Sequence, residues 1–171
     1  MAIVIWITGL PGSGKSTVAS AVREKIPDSV MLRMDELRKM VTPQPTYSDA
    51  EREYAYRALI YTAKTVFELG KDIIIDATAH KRSWRQLARD LFPRFIEVYL
   101  QCPIERCIER EKTRIDTQAA PTRIYEKGKA GWPVPGIHVP YEEPEKPEVI
   151  IDTEKESPGE AAEKIVNFIR K

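Results

Sequence analysis

One stretch could do chemistry by its residue types and spacing alone: Gly9-Leu10-Pro11-Gly12-Ser13-Gly14-Lys15-Ser16-Thr17. A glycine, four residues, then Gly-Lys-Ser is the pattern of a loop that wraps backbone N–H groups around a phosphate. Small residues let the backbone close on the anion and reach unusual φ angles. A helix starting near Lys15 would aim its positive dipole end at the same phosphate. Lys15 would reach the β- and γ-phosphates of ATP, and the Ser16 hydroxyl would ligate Mg²⁺. An ordinary Gly-rich turn gives no reason for Lys-Ser at the helix start.

Other candidates lie further along the chain. Asp35 and Asp76 each follow a short apolar run. At the carboxyl end of a strand, such an acid holds Mg²⁺ or takes a proton from an attacking hydroxyl, or else caps a turn. Arg38 follows Asp35 by three and suits a phosphate or sulfate clamp as well as it suits a surface. Arg52 and Arg57 fall near the start of a long helical pattern, as solvated charges unless a site recruits them. Arg106 and Arg110 are four apart, so they share one helix face and suit a clamp on a transferring phosphate. His80 and His138 are isolated and read as structural or exposed.

These residues need elements to position them. The apolar run Ile3 to Thr8 predicts a strand feeding the loop, and Val18, Ala21, Val22 and Ile26 recur at helical spacing after it. Ser29 to Met34 predicts a second strand ending at Asp35, followed by one helical turn over Leu37 to Met40. Ser48 caps a long helix with Ala55, Leu59, Thr62, Ala63, Val66 and Phe67 as its buried stripe, and Gly70 ends it. Lys71 to Asp76, Phe95 to Leu100 and Val149 to Asp152 read as three more strands. Helices are predicted over Lys81 to Leu91, from Pro103 to about Thr113, and over Pro158 to Arg170. From Arg114 to Pro147 the pattern breaks down, because six of the thirteen prolines fall between Pro121 and Pro147. An irregular stretch of that length in a compact domain reads as a functional lid. The expectation is an α/β P-loop NTPase: a doubly wound five-stranded parallel sheet with helices on both faces and an irregular lid, in a single domain over 1–171.

Composition narrows the function classes. With 171 residues, 42% hydrophobic, 31% charged and a net charge of +1, the chain is globular and nearly balanced. That balance argues against a dedicated nucleic-acid binder, although a local basic patch stays open. Cys102 and Cys107 are five apart and fit no metal, redox or disulfide spacing, so a reducing compartment is expected. The N-terminal apolar run ends in the loop rather than in a cleavage site, and no apolar stretch approaches membrane-spanning length. A soluble, cytoplasmic protein with a small-molecule nucleotide partner and no membrane partner is expected, with a homodimer left open.

The chain resembles the adenylylsulfate kinases, which transfer the γ-phosphate of ATP to the 3′-hydroxyl of adenosine 5′-phosphosulfate. Trp6 to Thr17 looks like that family's phosphate loop, Leu32-Arg33-Met34-Asp35-Glu36-Leu37-Arg38 like its Leu-Asp-Gly-Asp-Asn-x-Arg segment, and Tyr47 to Arg52 like its Phe-Ser-x-x-Asp-Arg. Tyr125 to Gly131, Gly136-Ile137, Pro140 to Pro144, Pro147-Glu148 and Ile151-Asp152-Thr153 follow the family's order through the lid and beyond. The resemblance implies ATP and Mg²⁺, with Lys15, Ser16 and Asp35 in the chemistry and at the metal, and Arg38, Arg52, Lys129 and Ile137 against the adenylylsulfate. The residues' own positions add Arg110 to catalysis, Asp76 to the metal, and residues 9–17 with Arg106 and Thr153 to the ATP side. The chain also departs from the family. Arg33 and Glu36 replace an Asp and the Asn, and the aromatic before Gly-Ile is Val134 or Pro135 unless Trp132 substitutes. Asp76-Ala77-Thr78-Ala79-His80 replaces a Ser-Pro and looks like the Asp-x-Thr of a broader group of small P-loop kinases, including polynucleotide kinases. Against the family's pattern, about ten residues are inserted between Glu111 and Tyr125. Those departures keep open another hydroxyl acceptor, such as a polynucleotide end, a tRNA-linked amino acid or a nucleoside, and a nucleotide-binding switch without acceptor.

Overall fold

The apolar runs form five parallel strands, β1 (Val4–Thr8), β2 (Val30–Arg33), β3 (Ile73–Asp76), β4 (Phe95–Gln101) and β5 (Val149–Asp152), in the order β2-β3-β1-β4-β5. A computed structural model of the chain describes residues 1–115 and 120–171, so residues 116–119 of the expected lid and insertion lie outside the described residues. The helices are α1 (Lys15–Lys25), α2 (Met34–Val41), α3 (Asp49–Glu68), α4 (Arg82–Leu91), α5 (Ile104–Thr113), α6 (Ile124–Lys129) and α7 (Pro158–Ile169). None of them is long and apolar enough to cross a membrane.

Alternation along the strands splits the core in two. Val4 and Trp6 of β1 with Ile73 and Ile75 of β3 pack against Leu59 and Ala63 of α3 and Trp84 and Ala88 of α4. Ile5, Ile7, Ile74 and Val98 point the other way, onto Val18 and Val22 of α1 and Ala162 and Ile165 of α7. Each such aliphatic side chain contributes about 1.5–3 kcal/mol by leaving water. The central strands are therefore apolar on both faces, and polar residues gather where they end. Thr8 and Asp76 sit at those carboxyl ends, in the geometry that places ligands at the rim of an open α/β sheet.

Three expectations need correction. The single turn after β2 is a full helix, α2, so Asp35 lies in its first turn rather than at the end of a strand. Asp35 and Glu36 there complement the helix dipole, which favours starting the helix early. The lid is not wholly irregular: α6 forms in the proline-free interval after Pro121, and its Tyr125 is buried with Cys107 and Val134. On α3 the buried face carries Arg52, Tyr56 and Ile60, whereas Thr62, Val66 and Phe67 are only partly buried. Arginine and tyrosine at those positions face the site, and an apolar stripe could not disclose them.

A charge network ties the lid's return to the sheet. Arg85 of α4 is buried and donates through Nε to Glu97 Oε1 of β4 at 2.6 Å, and through its other nitrogens to Ala79 O and Glu142 O. Arg89 bridges Glu97 and Glu148, and Glu148 Oε2 accepts from the Glu97 N–H at 2.7 Å. Arg85→Ala would leave Glu97 buried without its main partner. We expect a loss of about 3–5 kcal/mol in unfolding free energy, read by urea denaturation. A loss below about 1 kcal/mol would assign the lid's attachment to other contacts.

Candidate functional site

Residues 9–14 join β1 to α1, and the loop's shape follows from what touches it. Gly12 adopts φ +79°, and a Cβ there would lie 2.4 Å from Cys107 O of α5. Gly14 caps α1 at φ +100° with no side-chain cap hydrogen bond and with open space where a Cβ would be. The helix therefore starts without a side chain on its first amides, the arrangement that receives an anion. Ser13 Oγ is buried and has no partner among the described residues. Lys15 Nζ donates to Leu10 O at 2.9 Å, and Tyr125 OH of α6 donates to Pro11 O at 2.6 Å.

A cavity of about 600 Å³ opens beside the loop. It brings together Pro11, Gly12, Gly14, Lys15, Ser16 and Thr17 with Asp35, Asp76, Arg38, Arg52 and Arg110. Burial pushes the Lys15 ammonium below its usual range, and the charges of Asp76 and Asp35 pull it partly back. Burial raises the Asp35 carboxyl, repulsion from Asp76 raises it further, and Lys15 and Arg38 oppose both. Asp76, buried at the end of β3, has Arg33 Nε 3.8 Å from its Oδ2. Among the described residues no group of three or more His, Cys, Asp or Glu could hold a metal by itself. A hydroxyl and two carboxylates beside a phosphate loop nevertheless fit Mg²⁺, which keeps waters and takes phosphate oxygens as ligands. Ser16, Asp35 and Asp76 are that donor set.

The other end of the cavity is aromatic and cationic. Arg38 is buried, pairs with Glu51 at 3.0 Å, and lies 5.1 Å from the centre of the Tyr47 ring. Trp132 packs on Tyr47 at 5.5 Å, with Lys127 Nζ 5.0 Å from the Trp132 ring centre. Arg52 donates to Pro133 O and faces His80 Nδ1 at 3.1 Å. Arg110 donates to Thr153 Oγ1 at 3.0 Å and Thr153 O at 2.6 Å, fastening the turn after β5 to α5.

Some expected residues are elsewhere. Gly9, Leu10 and Ser13 belong to the back of the loop, and Thr153 meets the site only through Arg110. Arg106 shares a helix face with Arg110 and both are exposed, yet Arg106 pairs with Glu109 and Glu154 while Arg110 lines the cavity. Lys129 is exposed at the end of α6, and Ile137 packs behind the loop with Leu10 and Ile104. Residues that spacing did not single out line the cavity instead: Tyr56, Thr78, His80 and Arg114. Tyr56 and His80 had no usable signal, since an aromatic at helical spacing and a lone histidine both suit a core.

Comparison with known proteins agrees with this fold. A family model described as adenylylsulphate kinase matches residues 1–152. The probable adenylyl-sulfate kinase of Archaeoglobus fulgidus is 34% identical over 160 residues, covering 91% of this chain and 98% of that protein. The adenylyl-sulfate kinase of Thermodesulfovibrio yellowstonii is 35% identical over 173 residues, covering 98% and 83%. Among solved structures, the Mycobacterium tuberculosis APS kinase CysC in complex with AMPPNP and APS superposes with a TM-score of 0.87 at 27% identity, over 99% of this chain and 98% of that one.

Gly12 provides the sharpest test of the loop. In Gly12→Ala the new methyl would overlap the Cys107 carbonyl, and neither backbone can yield cheaply. We expect ADP affinity by calorimetry to fall at least about tenfold, or about 1.4 kcal/mol, while far-UV circular dichroism keeps its helical signal. Wild-type affinity in that variant would mean that the loop does not hold the anion in this shape.

Proposed function

The chain belongs to the adenylylsulphate kinase family, and from that premise we propose that it transfers the γ-phosphoryl group of ATP to the 3′-hydroxyl of adenosine 5′-phosphosulfate. One observation carries the reading: a single cavity is lined by the phosphate loop, by Asp35 and Asp76, and by Arg38 and Arg52. In this reading the loop amides and the start of α1 hold the β- and γ-phosphates. Lys15 leaves Leu10 O and places its ammonium on the oxygens that gain charge during transfer. Arg110, already fixed on Thr153, adds a second cation at that end. Ser16, Asp35 and Asp76 would hold Mg²⁺, which when bound supplies positive charge to the phosphates.

Asp35 is the proposed proton acceptor for the 3′-hydroxyl. Burial and the nearby Asp76 raise its affinity for protons, which makes it a stronger base than an exposed carboxylate, while Lys15 and Arg38 oppose that rise. Arg38 and Arg52 take the phosphosulfate, and the Tyr47–Trp132 wall takes the adenine; Trp132 then does the work expected of the family's aromatic, since Val134 is buried. The lid over the cavity keeps water from competing with the acceptor. Free Cys102 and Cys107 suit a reducing cytoplasm.

The reading is tested by coupled ADP release with adenosine 5′-phosphosulfate against nucleosides and oligonucleotide ends. Stimulation by the phosphosulfate above every other acceptor is expected. Stronger stimulation by an oligonucleotide 5′-end would move the chain to a different hydroxyl.

Asp35→Asn separates chemistry from binding. Turnover should fall about a hundredfold or more, while the Kd for ATP changes less than about threefold. In wild type, the rate should rise with pH through a limb above the ordinary carboxylate value of 3.8, because Asp35 must be ionised to accept the proton. Unchanged turnover in the variant would move the proton to Asp76.

A further inference from the structure

The acceptor end of the cavity holds two buried side chains with donors that no described residue uses. Arg52 and His80 are 6% and 3% exposed, and both line the cavity. Arg52 Nε and His80 Nε2 have no hydrogen-bond partner among the described residues. The contact between the two side chains decides the state of the ring. Arg52 Nη1 lies 3.1 Å from His80 Nδ1, and a guanidinium can only donate, so Nδ1 accepts. In a neutral imidazole the proton then sits on Nε2. Burial, reinforced by the Arg52 charge, pushes His80 down to about 4, so the ring is neutral at physiological pH.

The ring is also fixed in orientation. It meets Trp84 edge-on with centres 4.9 Å apart, and His80 O accepts from the Glu142 N–H at 2.8 Å. The neighbouring Ala79 is held from both sides, its N–H donating to Tyr56 OH at 2.7 Å and its O accepting from Arg85. His80 is therefore a fixed, single-tautomer donor in the cavity wall. A buried N–H without a partner costs about 1–3 kcal/mol, a cost that an oxygen of a ligand would remove.

We propose that His80 is a specificity-determining residue for the acceptor, its Nε2–H and the adjacent Arg52 Nε–H donating to oxygens of the acceptor's anionic 5′-substituent. This rests on the adenylylsulfate reading above. Arg52 supplies charge, which attracts any anion. His80 supplies direction without charge, which favours a group whose oxygens fall where both donors point. A sulfate or phosphate group has oxygens enough to accept from both donors.

The test compares wild type with His80→Asn and His80→Gln by ADP release at varied adenosine 5′-phosphosulfate and varied ATP. Asparagine can still accept from Arg52 but has no group at the Nε2 position, whereas glutamine can bring an amide N–H there. His80→Asn should raise KM for the phosphosulfate about tenfold, the loss of one hydrogen bond to a charged group, and His80→Gln should recover part of it. KM for ATP should move less than about twofold in both variants. In ¹⁵N-histidine-labelled wild type, the Nε2–H signal should gain protection from exchange when the phosphosulfate is added to the ADP complex, a readout that needs no variant. Unchanged phosphosulfate KM in His80→Asn, an equal rise in both KM values, or an unprotected Nε2–H overturns the proposal while leaving the acceptor reading intact. A wild-type protein that releases no ADP with the phosphosulfate overturns both.

Discussion

A loop that must keep its amides for an anion has to be held through its other atoms. Here the holding contacts use the loop's carbonyls and its missing side chains. Leu10 O takes Lys15, Pro11 O takes Tyr125, and the bare Cα of Gly12 lies against the backbone of Cys107. Each partner belongs to a different element: α1, α6 and α5. The phosphate loop is thus a junction, and the lid helix is hydrogen-bonded to it directly. A ligand that shifts the loop by a fraction of an ångström is felt at Tyr125, and through Tyr125 by the cluster of Cys107 and Val134 beneath the lid.

The same geometry concentrates charge that the whole chain hides. Net charge is only +1, yet Lys15, Arg38, Arg52, Arg110, Arg114 and Lys127 line a cavity whose only acids among the described residues are Asp35 and Asp76. Six cations against two acids select an anionic occupant more surely than any single arginine would. Burial, and not these cations, drives the opposed shifts within the site. Burial disfavours charge on Lys15 and on Asp35 alike, and it is opposed at Lys15 by Asp76 and Asp35 and at Asp35 by Lys15 and Arg38.

Much of this was legible in the sequence because it depends on short local patterns. Gly-Lys-Ser after an apolar strand, the two-sided apolar runs of β1 and β3, and the capping serine of α3 are read within a few residues. Asp35 and Asp76 are read in the same way, from their positions at the ends of runs, whereas Arg38 and Arg52 come to the substrate through the family resemblance. What could not be read depends on contacts across the chain. Whether Arg106 or Arg110 turns inward is decided by Glu154 and Thr153, over forty residues away. Ile137 was assigned to the substrate by resemblance, but Leu10 and Ile104 give it an apolar place behind the loop. His80 is the clearest case: only the position of Arg52, on another element, turns a bland histidine into a directed donor.

The aromatic wall shows how rigidity is divided within the site. Tyr47 sits at φ +56°, a left-handed conformation costing a non-glycine residue about 1–2 kcal/mol. The surroundings hold it there: its N–H donates to Glu51 Oε1 at 3.2 Å, the same oxygen that takes Arg38 at 3.0 Å. Two arginines flank its ring, at 5.1 and 5.8 Å from the centre. Trp132, in contrast, is 41% exposed and belongs to the lid segment. The two ring centres are 5.5 Å apart, whereas seating a flat base between two rings needs about 7–8 Å, twice the contact distance between carbon atoms. A base can therefore enter between Tyr47 and Trp132 only if Trp132 moves outward, the fixed ring being the one set by the arginines. Acceptor binding and lid position are coupled by that shortage of space, with no further hinge required.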